Sequence, residues 1–510
     1  MRPSVADGRR VKARQLAELA GILALGIVAR ILLAAYRSMW FDEAFSWRVA
    51  QFPVTEMCKR IVSGDNSPPL FFVLLKIWVW FFGDSLFIMR LLSIYLGGVT
   101  MGAAYLFWIE AFGRERARFG LLAAFLIAIS SSQVRWGAEV RMYALGTAIA
   151  VLTSWMLLRA LRNGGRSIAL WIQYAVFCLA FAYTHYYAFF TLAAHGCYIF
   201  TSLVIRAASG TERAAVCRAA RNSLLATGFV VACFTPWSAK LLQQRQQVGR
   251  EFWNQSIDGA SVPAAIYHLF LEPPRFERPG HVPSMLAGVA LTIICLAAIM
   301  VCLHRPAPGD YLVVMCASLP FALAMAVSVS GRSIFFYRYL LFSHVFILIA
   351  IARAVSKFPT PAARPLAVSL LMGMSVFAWR SWSVVDVLGR PGLRAAVEFI
   401  ERERGPDDVV LACAPAFYLP LSYHSRGRFP VHVFFRKGEG RSHFDGTAAL
   451  TAADYLMESD IAQLGDKQLW TVDGNGCAPP GNWKLVGSFE FAEAAVYEGF
   501  IVVQQFVSSG

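Results

Sequence analysis

Two carboxylates stand side by side, Asp42 and Glu43, in the run Trp40-Phe41-Asp42-Glu43-Ala44-Phe45, just past the first long apolar stretch of the chain. Adjacent acids this close to hydrocarbon are costly to hold without a partner or a task. One role open to them is structural, because acids in the first turn of a helix cap it and complement its dipole. The other is chemical. Transfer of a sugar to a hydroxyl needs a carboxylate near the anomeric carbon as general base, and desolvation at an interface raises a carboxyl's pKa toward that task.

Other groups share this double reading. Glu139, Arg141 and Tyr143 lie in Arg135-Trp136-Gly137-Ala138-Glu139-Val140-Arg141-Met142-Tyr143, where Arg135 and Glu139 are spaced to pair on a helix. Arg338, in Phe335-Phe336-Tyr337-Arg338-Tyr339-Leu340, is either an interfacial anchor or a bidentate grip on a phosphate. His185 and Tyr186 fall in Thr184-His185-Tyr186-Tyr187, and Asn66 in Asp65-Asn66-Ser67-Pro68-Pro69-Leu70, which also reads as a plain turn and helix start.

The elements that position these residues follow from composition. The 510-residue chain is 57% hydrophobic and 15% charged, with a mean hydropathy of +0.52, so its solvent is mostly lipid. A spanning helix needs about 20 apolar residues. About eleven such runs are expected, at 16–36, 86–109, 117–134, 143–160, 168–184, 186–205, 222–238, 284–303, 311–329, 339–356 and 365–385. The predicted fold class is a polytopic α-helical membrane protein with a small C-terminal α/β domain. The predicted division is a membrane module over 1–385, with outer loops 37–85 and 239–283, and a soluble domain over 386–510.

The net charge of +15 sits largely in short loops rather than in a nucleic-acid-binding stripe, so no nucleic acid partner is expected. Clusters at Arg9/Arg10/Lys12/Arg14, Arg114/Arg116/Arg118, Arg159/Arg162/Arg166, Arg206/Arg213/Arg218/Arg221 and Arg353/Lys357/Arg364 share one face if the spans alternate. By the positive-inside rule that face is cytoplasmic. This places the N-terminus inside, the C-terminal domain outside and the protein in an inner (plasma) membrane. The first run reads as an uncleaved anchor. All the candidate residues then lie at outer ends of spans, and Arg60 and Lys76 lie near the outer face, where lipid phosphates are met.

Phe41, Phe45, Val49 and Phe52 recur at helical spacing, as in a helix lying in the membrane surface. A second such helix is expected from Leu70 to Phe82, ended by Gly83. In the tail, a helix over 393–404 precedes strand-like runs at 409–414, 431–435, 468–472 and 485–489. The tail holds no phosphate-cradling glycine loop and no nucleophile elbow. Cys413 and Cys477 sit where a disulfide is possible; the remaining cysteines read as small apolar residues.

Taken in order, Phe41-Asp42-Glu43-Ala44, Asn66-Ser67-Pro68-Pro69-Leu70, Leu86-Phe87-Ile88-Met89-Arg90-Leu91, Glu139-Val140-Arg141-Met142-Tyr143-Ala144, Thr184-His185-Tyr186-Tyr187 and Arg338-Tyr339-Leu340 resemble the lipid-phosphosugar-dependent glycosyltransferases of the protein O-mannosyltransferase and aminoarabinose-transferase type, which have the GT-C fold. The resemblance covers about residues 1–430. It implies a polyprenyl-phosphate sugar donor, a glycolipid, glycan or protein acceptor, and inversion at the anomeric carbon. On matching positions it implies Asp42 as base, Glu43 as its support or alternate, and Glu139 as a positioning acid. Arg338, with Arg141, would neutralise the departing polyprenyl phosphate, and Tyr143, His185, Tyr186 and Asn66 would position substrate. Many relatives carry His or Lys before the two prolines, where this chain has Ser67; Arg60, Lys76 and Arg90 are the candidates to replace that cation. No Asp-x-Asp metal motif is present, so no obligatory metal cofactor is expected. A flippase or other transporter of lipid-linked glycans, and a surface-polysaccharide ligase or polymerase, are the competing readings.

Overall fold

The computed structural model describes the chain outside residues 1–4, 211, 252–255, 272–281, most of 359–388, 435–444, 465–466, 494–498 and 509–510. Among the described residues, eight helices are long and apolar enough to cross a membrane, at 11–36, 86–112, 143–162, 188–208, 213–250, 283–303, 308–329 and 337–357. These match eight of the expected spans. Two others are shorter helices, Ala117–Ile129 and Ile168–Ala182, and the span expected at 365–385 falls almost wholly outside the described residues.

The bundle is built from α1 (Val5–Tyr36), α5 (Leu86–Phe112), α6 (Ala117–Ile129), α8 (Tyr143–Arg162), α9 (Ile168–Ala182), α10 (Ala188–Ala208), α11 (Arg213–Glu251), α13 (Val282–Leu303), α14 (Pro308–Val329) and α15 (Leu341–Lys357). α8 and α15 are buried nearly all round, so they form its centre, whereas most of α11 faces outward. The run expected as one span to residue 134 breaks at Ser130, whose hydroxyl caps a separate short helix, α7 (Ser131–Trp136). Arg30 explains the break. This fully buried guanidinium of α1 donates to the carbonyls of Gly26 at 2.8 Å, Gln133 at 3.2 Å and Ile127 at 3.5 Å. It therefore reaches the Ile127 carbonyl, one of those that the ended helix leaves open. Gly97 makes room for it, since a Cβ there would lie 2.7 Å from Arg30 Nε.

Between α1 and α5 run α2 (Phe41–Ala50), α3 (Val54–Gly64) and α4 (Leu70–Phe82). α4 ends at Gly83, at φ +89°, as expected. Its start at Leu70 is also as expected, with Pro69 in the cap position and no side-chain cap. The position of α2 also corrects the sequence reading. It is not an exposed surface helix: Glu43, Ala44, Phe45, Ser46, Trp47, Val49 and Ala50 are all buried, and the C-terminal region packs on it.

That region holds α16 (Gly392–Glu403), α17 (Pro415–Ser425), α18 (Glu458–Ala462) and a six-stranded sheet. The strands β1 (Val409–Ala412), β2 (Val431–Phe434), β3 (Tyr455–Leu456), β4 (Leu469–Asp473), β5 (Trp483–Ala492) and β6 (Phe500–Ser508) are ordered β3-β2-β1-β4-β6-β5. The first four are parallel, and β6 runs antiparallel to β4 and β5. The Cys413–Cys477 disulfide joins the residue after β1 to the loop after β4, with a Cα–Cα distance of 6.4 Å.

The sheet domain docks on the first loop through polar contacts. Ser38 donates to the Pro391 carbonyl at 2.8 Å, and the Met39 N–H to His424 Nε2 at 3.2 Å. Arg48 grips both oxygens of Asp454 at 3.0 and 2.9 Å, and Trp47 packs edge-on against Tyr423. Arg426 pairs with Asp84.

Candidate active site

α2 starts without a side-chain cap, its cap residue being Trp40. Its entry is fixed instead by Arg90 of α5, a fully buried guanidinium. Arg90 donates to the carbonyls of Ala34 and Arg37 at 2.7 Å each and of Ser38 at 3.0 Å, and takes Glu43 in a two-point grip at 2.8 and 2.6 Å. The Val140 N–H adds a third bond to Glu43, at 3.1 Å. Burial opposes ionisation of Glu43, but Arg90, Arg37 and that N–H outweigh it and hold the carboxyl below its ordinary range. Glu43 is thus an anchor held by three hydrogen bonds, two from Arg90 and one from the Val140 N–H.

Glu139 is held similarly. It pairs with Arg135 and, at 3.2 Å, with Arg37, all three being buried. The pairing with Arg135 anticipated from spacing is present, although α7 ends at Trp136 and Glu139 sits in the turn beyond it. Burial, with the like charge of Arg135, pushes Arg37 down to about 9.

Arg141 meets Asp65 at 2.7 Å. The other Asp65 oxygen accepts from the Ser67 hydroxyl at 2.6 Å and the Asn66 N–H at 2.7 Å. Burial works against the Asp65 charge, but Arg141 and these donors hold its carboxyl below the usual range.

Asp42 is held by a longer contact than these three acids, and like Glu139 it keeps one oxygen unpartnered. It forms an ion pair with Arg338 at 3.4 Å, and its Oδ2 has no hydrogen-bond partner among the described residues. Arg338 precedes α15 and is caged by rings: its guanidinium carbon lies 5.8 Å from the Trp40 ring centre, 5.4 Å from Trp136, 6.0 Å from Tyr143 and 5.7 Å from Tyr339. Other unpartnered buried polar atoms gather around this cage: Trp40 Nε1, the Tyr143 hydroxyl and His185 Nε2. His185 stacks near Tyr339, with ring centres 5.0 Å apart, and its Nδ1 accepts the Tyr187 N–H. That leaves Nε2 as a proton donor. Burial, against the pull of Asp65, pushes His185 down to about 3, so the ring is neutral.

Unpartnered buried polar groups are rare in folded proteins, and three of them gather around this one carboxylate–guanidinium pair. The arrangement offers a proton acceptor, Asp42, a cation, Arg338, and neutral donors, His185 and Tyr143.

Not every expected site residue is here. Lys76 donates to the Ala50 and Phe52 carbonyls, at 3.0 Å each, and so closes the C-terminal end of α2. Arg60 donates to the Ala448 and Leu450 carbonyls at 2.9 Å, pairs with Glu56 and stacks on Phe52. Both are spent on holding the loop and the sheet domain, away from the Arg338 cage. Tyr186 accepts from Trp237 and donates to Gln244, which bonds the Asp65 carbonyl at 2.7 Å. It therefore ties α11 to the Asp65 turn. The side chain of Asn66 makes no hydrogen bond to the site residues; only its backbone N–H is used. Sequence reasoning missed Arg37 altogether. The signal was present, since a cation at the end of a span, six residues before Glu43, needs a partner.

Residues 66–234 match the family described as dolichyl-phosphate-mannose-protein mannosyltransferase. That segment spans α4 to α11 and carries Glu139, Arg141, Tyr143, His185 and Tyr186. The chain is similar to the crystal structure of ArnT from Cupriavidus metallidurans in the apo state, with a TM-score of 0.58, 12% identity and 98% of each chain covered. It is also similar to the same protein bound to undecaprenyl phosphate, with a TM-score of 0.56, 11% identity, and 95% of this chain and 97% of that one covered. No curated protein matches. The chain thus has the GT-C fold, and the family match and the fold agree with the resemblance drawn from its sequence to the polyprenyl-phosphate-sugar glycosyltransferases.

Proposed function

We propose that this protein is a membrane glycosyltransferase that takes a sugar from a polyprenyl-phosphate carrier and passes it, with inversion, to an acceptor hydroxyl on the outer face of an inner membrane. The family match and the ArnT-like fold support the class of donor, and the structure of ArnT with undecaprenyl phosphate supports a lipid-phosphate ligand for this fold. The observation that carries the mechanism is the Asp42–Arg338 pair at the centre of the aromatic cage.

In this reading Asp42 Oδ2 takes the proton of the acceptor hydroxyl as its oxygen attacks the anomeric carbon. The bond from that carbon to the phosphate oxygen breaks, and polyprenyl phosphate leaves with the bonding pair. Arg338, assisted by Arg141, neutralises the negative charge that develops there. The existing pair gives the cycle an order. While Arg338 faces Asp42, its guanidinium lies against the oxygen that would take the proton. A donor phosphate that draws the guanidinium to itself in a bidentate grip releases Asp42 for proton abstraction. Glu43 and Glu139 act by fixing the backbone on either side.

The test is transfer of labelled sugar from a panel of polyprenyl-phosphate sugars to membrane extracts, with wild type and Asp42→Asn at equal expression. General-base loss is worth roughly 10²–10⁴-fold, so turnover of the variant falls by at least about 10² while donor binding persists. Wild-type turnover in the variant would remove Asp42 from the mechanism, and a broad panel without any product would move the protein to the transporters.

A further inference from the structure

A groove of about 490 Å³ runs between α1 and α6 on the outside of the bundle, and none of the roles assigned above uses it. Its apolar wall is Gly21, Ile22 and Leu25 of α1 with Leu121, Leu122 and Phe125 of α6, and Glu18 and Arg118 stand at its mouth. On each helix the lining positions are spaced i, i+3, i+4 and i+7, which is a single stripe at the helical period. Two such stripes flank the groove over about 10 Å of helix length.

The local packing explains why the groove is there. α1 and α6 touch at Gly26, where an added Cβ would lie 3.1 Å from that of Ala128. Nearer the charged end they leave room, and an added Cβ at Gly21 would meet nothing within 4 Å. α1 is long and apolar enough to cross a membrane and is mostly unburied, so this face meets acyl chains rather than water.

The charges at the mouth select among lipids. Glu18 is matched by Arg14 at 2.9 Å. Arg118 makes no ion pair or hydrogen bond among the described residues; its guanidinium carbon lies 4.9 Å from the Phe119 ring centre. Arg114 and Arg116, in the turn just before α6, are exposed beside the single carboxylate of Glu115. Arg14, Arg114, Arg116 and Arg118 thus stand against Glu18 and Glu115, and the balance is positive. An unpaired guanidinium at the end of an acyl-sized channel complements a phosphate headgroup, which it can take in a two-point grip.

We propose that this groove binds one anionic phospholipid of the surrounding bilayer, with an acyl chain lying along the two stripes and the phosphate on Arg118. The lipid ties α1 to α6 at the end remote from Asp42. From Leu25 to Tyr36 is about 16 Å along the helix, at 1.5 Å per residue, and Tyr36 leads into Arg37 and the pairs that hold the start of α2. The site stands whether or not the protein transfers a sugar.

The experiment is native mass spectrometry of the full-length protein, released from detergent micelles that hold equal amounts of two lipids. Dioleoyl phosphatidylglycerol is the anionic probe, and dioleoyl phosphatidylcholine, with the same chains and no net charge, is the comparison. The first lipid retained should be phosphatidylglycerol by at least about 5-fold, the worth of one arginine near an anionic headgroup. Arg118→Gln should remove most of that preference. Gly21→Leu should do so without touching a charge, because its side chain enters the open groove. Gly196→Leu, on α10, also adds a side chain where nothing lies within 4 Å, and it should keep the wild-type preference. No preference in wild type, or one that survives Arg118→Gln, overturns the phosphate assignment and the proposal with it. A preference that survives Gly21→Leu shows lipid gathered by surface charge alone, and one that Gly196→Leu removes equally shows an effect of bulk; either overturns the groove. The wild-type comparison decides even where a variant fails to fold.

Discussion

Replacing Arg90 should release the start of α2, and the size of the effect follows from what Arg90 holds. Its guanidinium is fully buried and serves three carbonyls and both oxygens of Glu43. Arg90→Met leaves a buried carboxylate with only Arg37 at 4.0 Å and the Val140 N–H for company. Removing one partner of a buried ion pair costs about 3–5 kcal/mol, and unsatisfied buried carbonyls add about 1 kcal/mol or more each. Replacing both partners is far milder, because the charge that needed compensation is gone. Arg90→Met should therefore cost roughly 6–8 kcal/mol, and Glu43→Gln combined with it should recover at least about 2 kcal/mol. The assay is a double-mutant cycle measured by SDS titration in mixed micelles, followed through tryptophan fluorescence. A coupling below about 0.5 kcal/mol, the range of independent sites, would refute the reasoning that the Glu43–Arg90 pair anchors the helix carrying Asp42.

Further outcomes concern the sheet domain. The Cys413–Cys477 disulfide closes a sequence separation of 64, so the Cys413→Ser/Cys477→Ser chain should lose up to about 4 kcal/mol from loop-closure entropy, read as a lower denaturation midpoint of the sheet domain; an unchanged midpoint would contradict this. His424 accepts the Met39 N–H through Nε2, and burial, reinforced by Arg394 and Arg90, pushes it down to about 3. Because the folded pKa lies below the unfolded value, the unfolded chain takes the proton first. The contribution of this group is therefore constant above about pH 6.5 and falls by at most about 1.4 kcal/mol per pH unit from there toward pH 3. Melting temperature against pH should show this slope, and His424→Asn should flatten it.

The legibility of the chain varied with the range of the interactions involved. Helix α4 and its stop at Gly83 could be read directly, because an apolar run and a glycine at positive φ are local facts. Four of the six tail strands could be read for the same reason, whereas β3 and β6 were not expected. The resemblance to GT-C glycosyltransferases was likewise carried by short motifs in order, and the fold agrees with it. The break between α6 and α7 was not legible, since it depends on Arg30 reaching from α1 to the Ile127 and Gln133 carbonyls. Nor was the burial of α2, whose aromatic spacing suits a membrane surface as well as it suits the domain that covers it.

Charged side chains show the same division. Sequence alone determined that acids and arginines collect at the ends of spans, because lipid tolerates them nowhere cheaper. It could not determine which acid meets which cation. Glu43 is 47 positions from Arg90, Asp65 is 76 from Arg141, and Asp42 meets Arg338 across most of the chain. Those pairings depend on helix packing, which brings distant residues within 3–4 Å, where charges in a dry interior interact most strongly. Tertiary structure alone therefore separated Glu43, Glu139 and Asp65, each gripped at short range by a buried arginine, from Asp42, whose ion pair with Arg338 is the longer one at 3.4 Å.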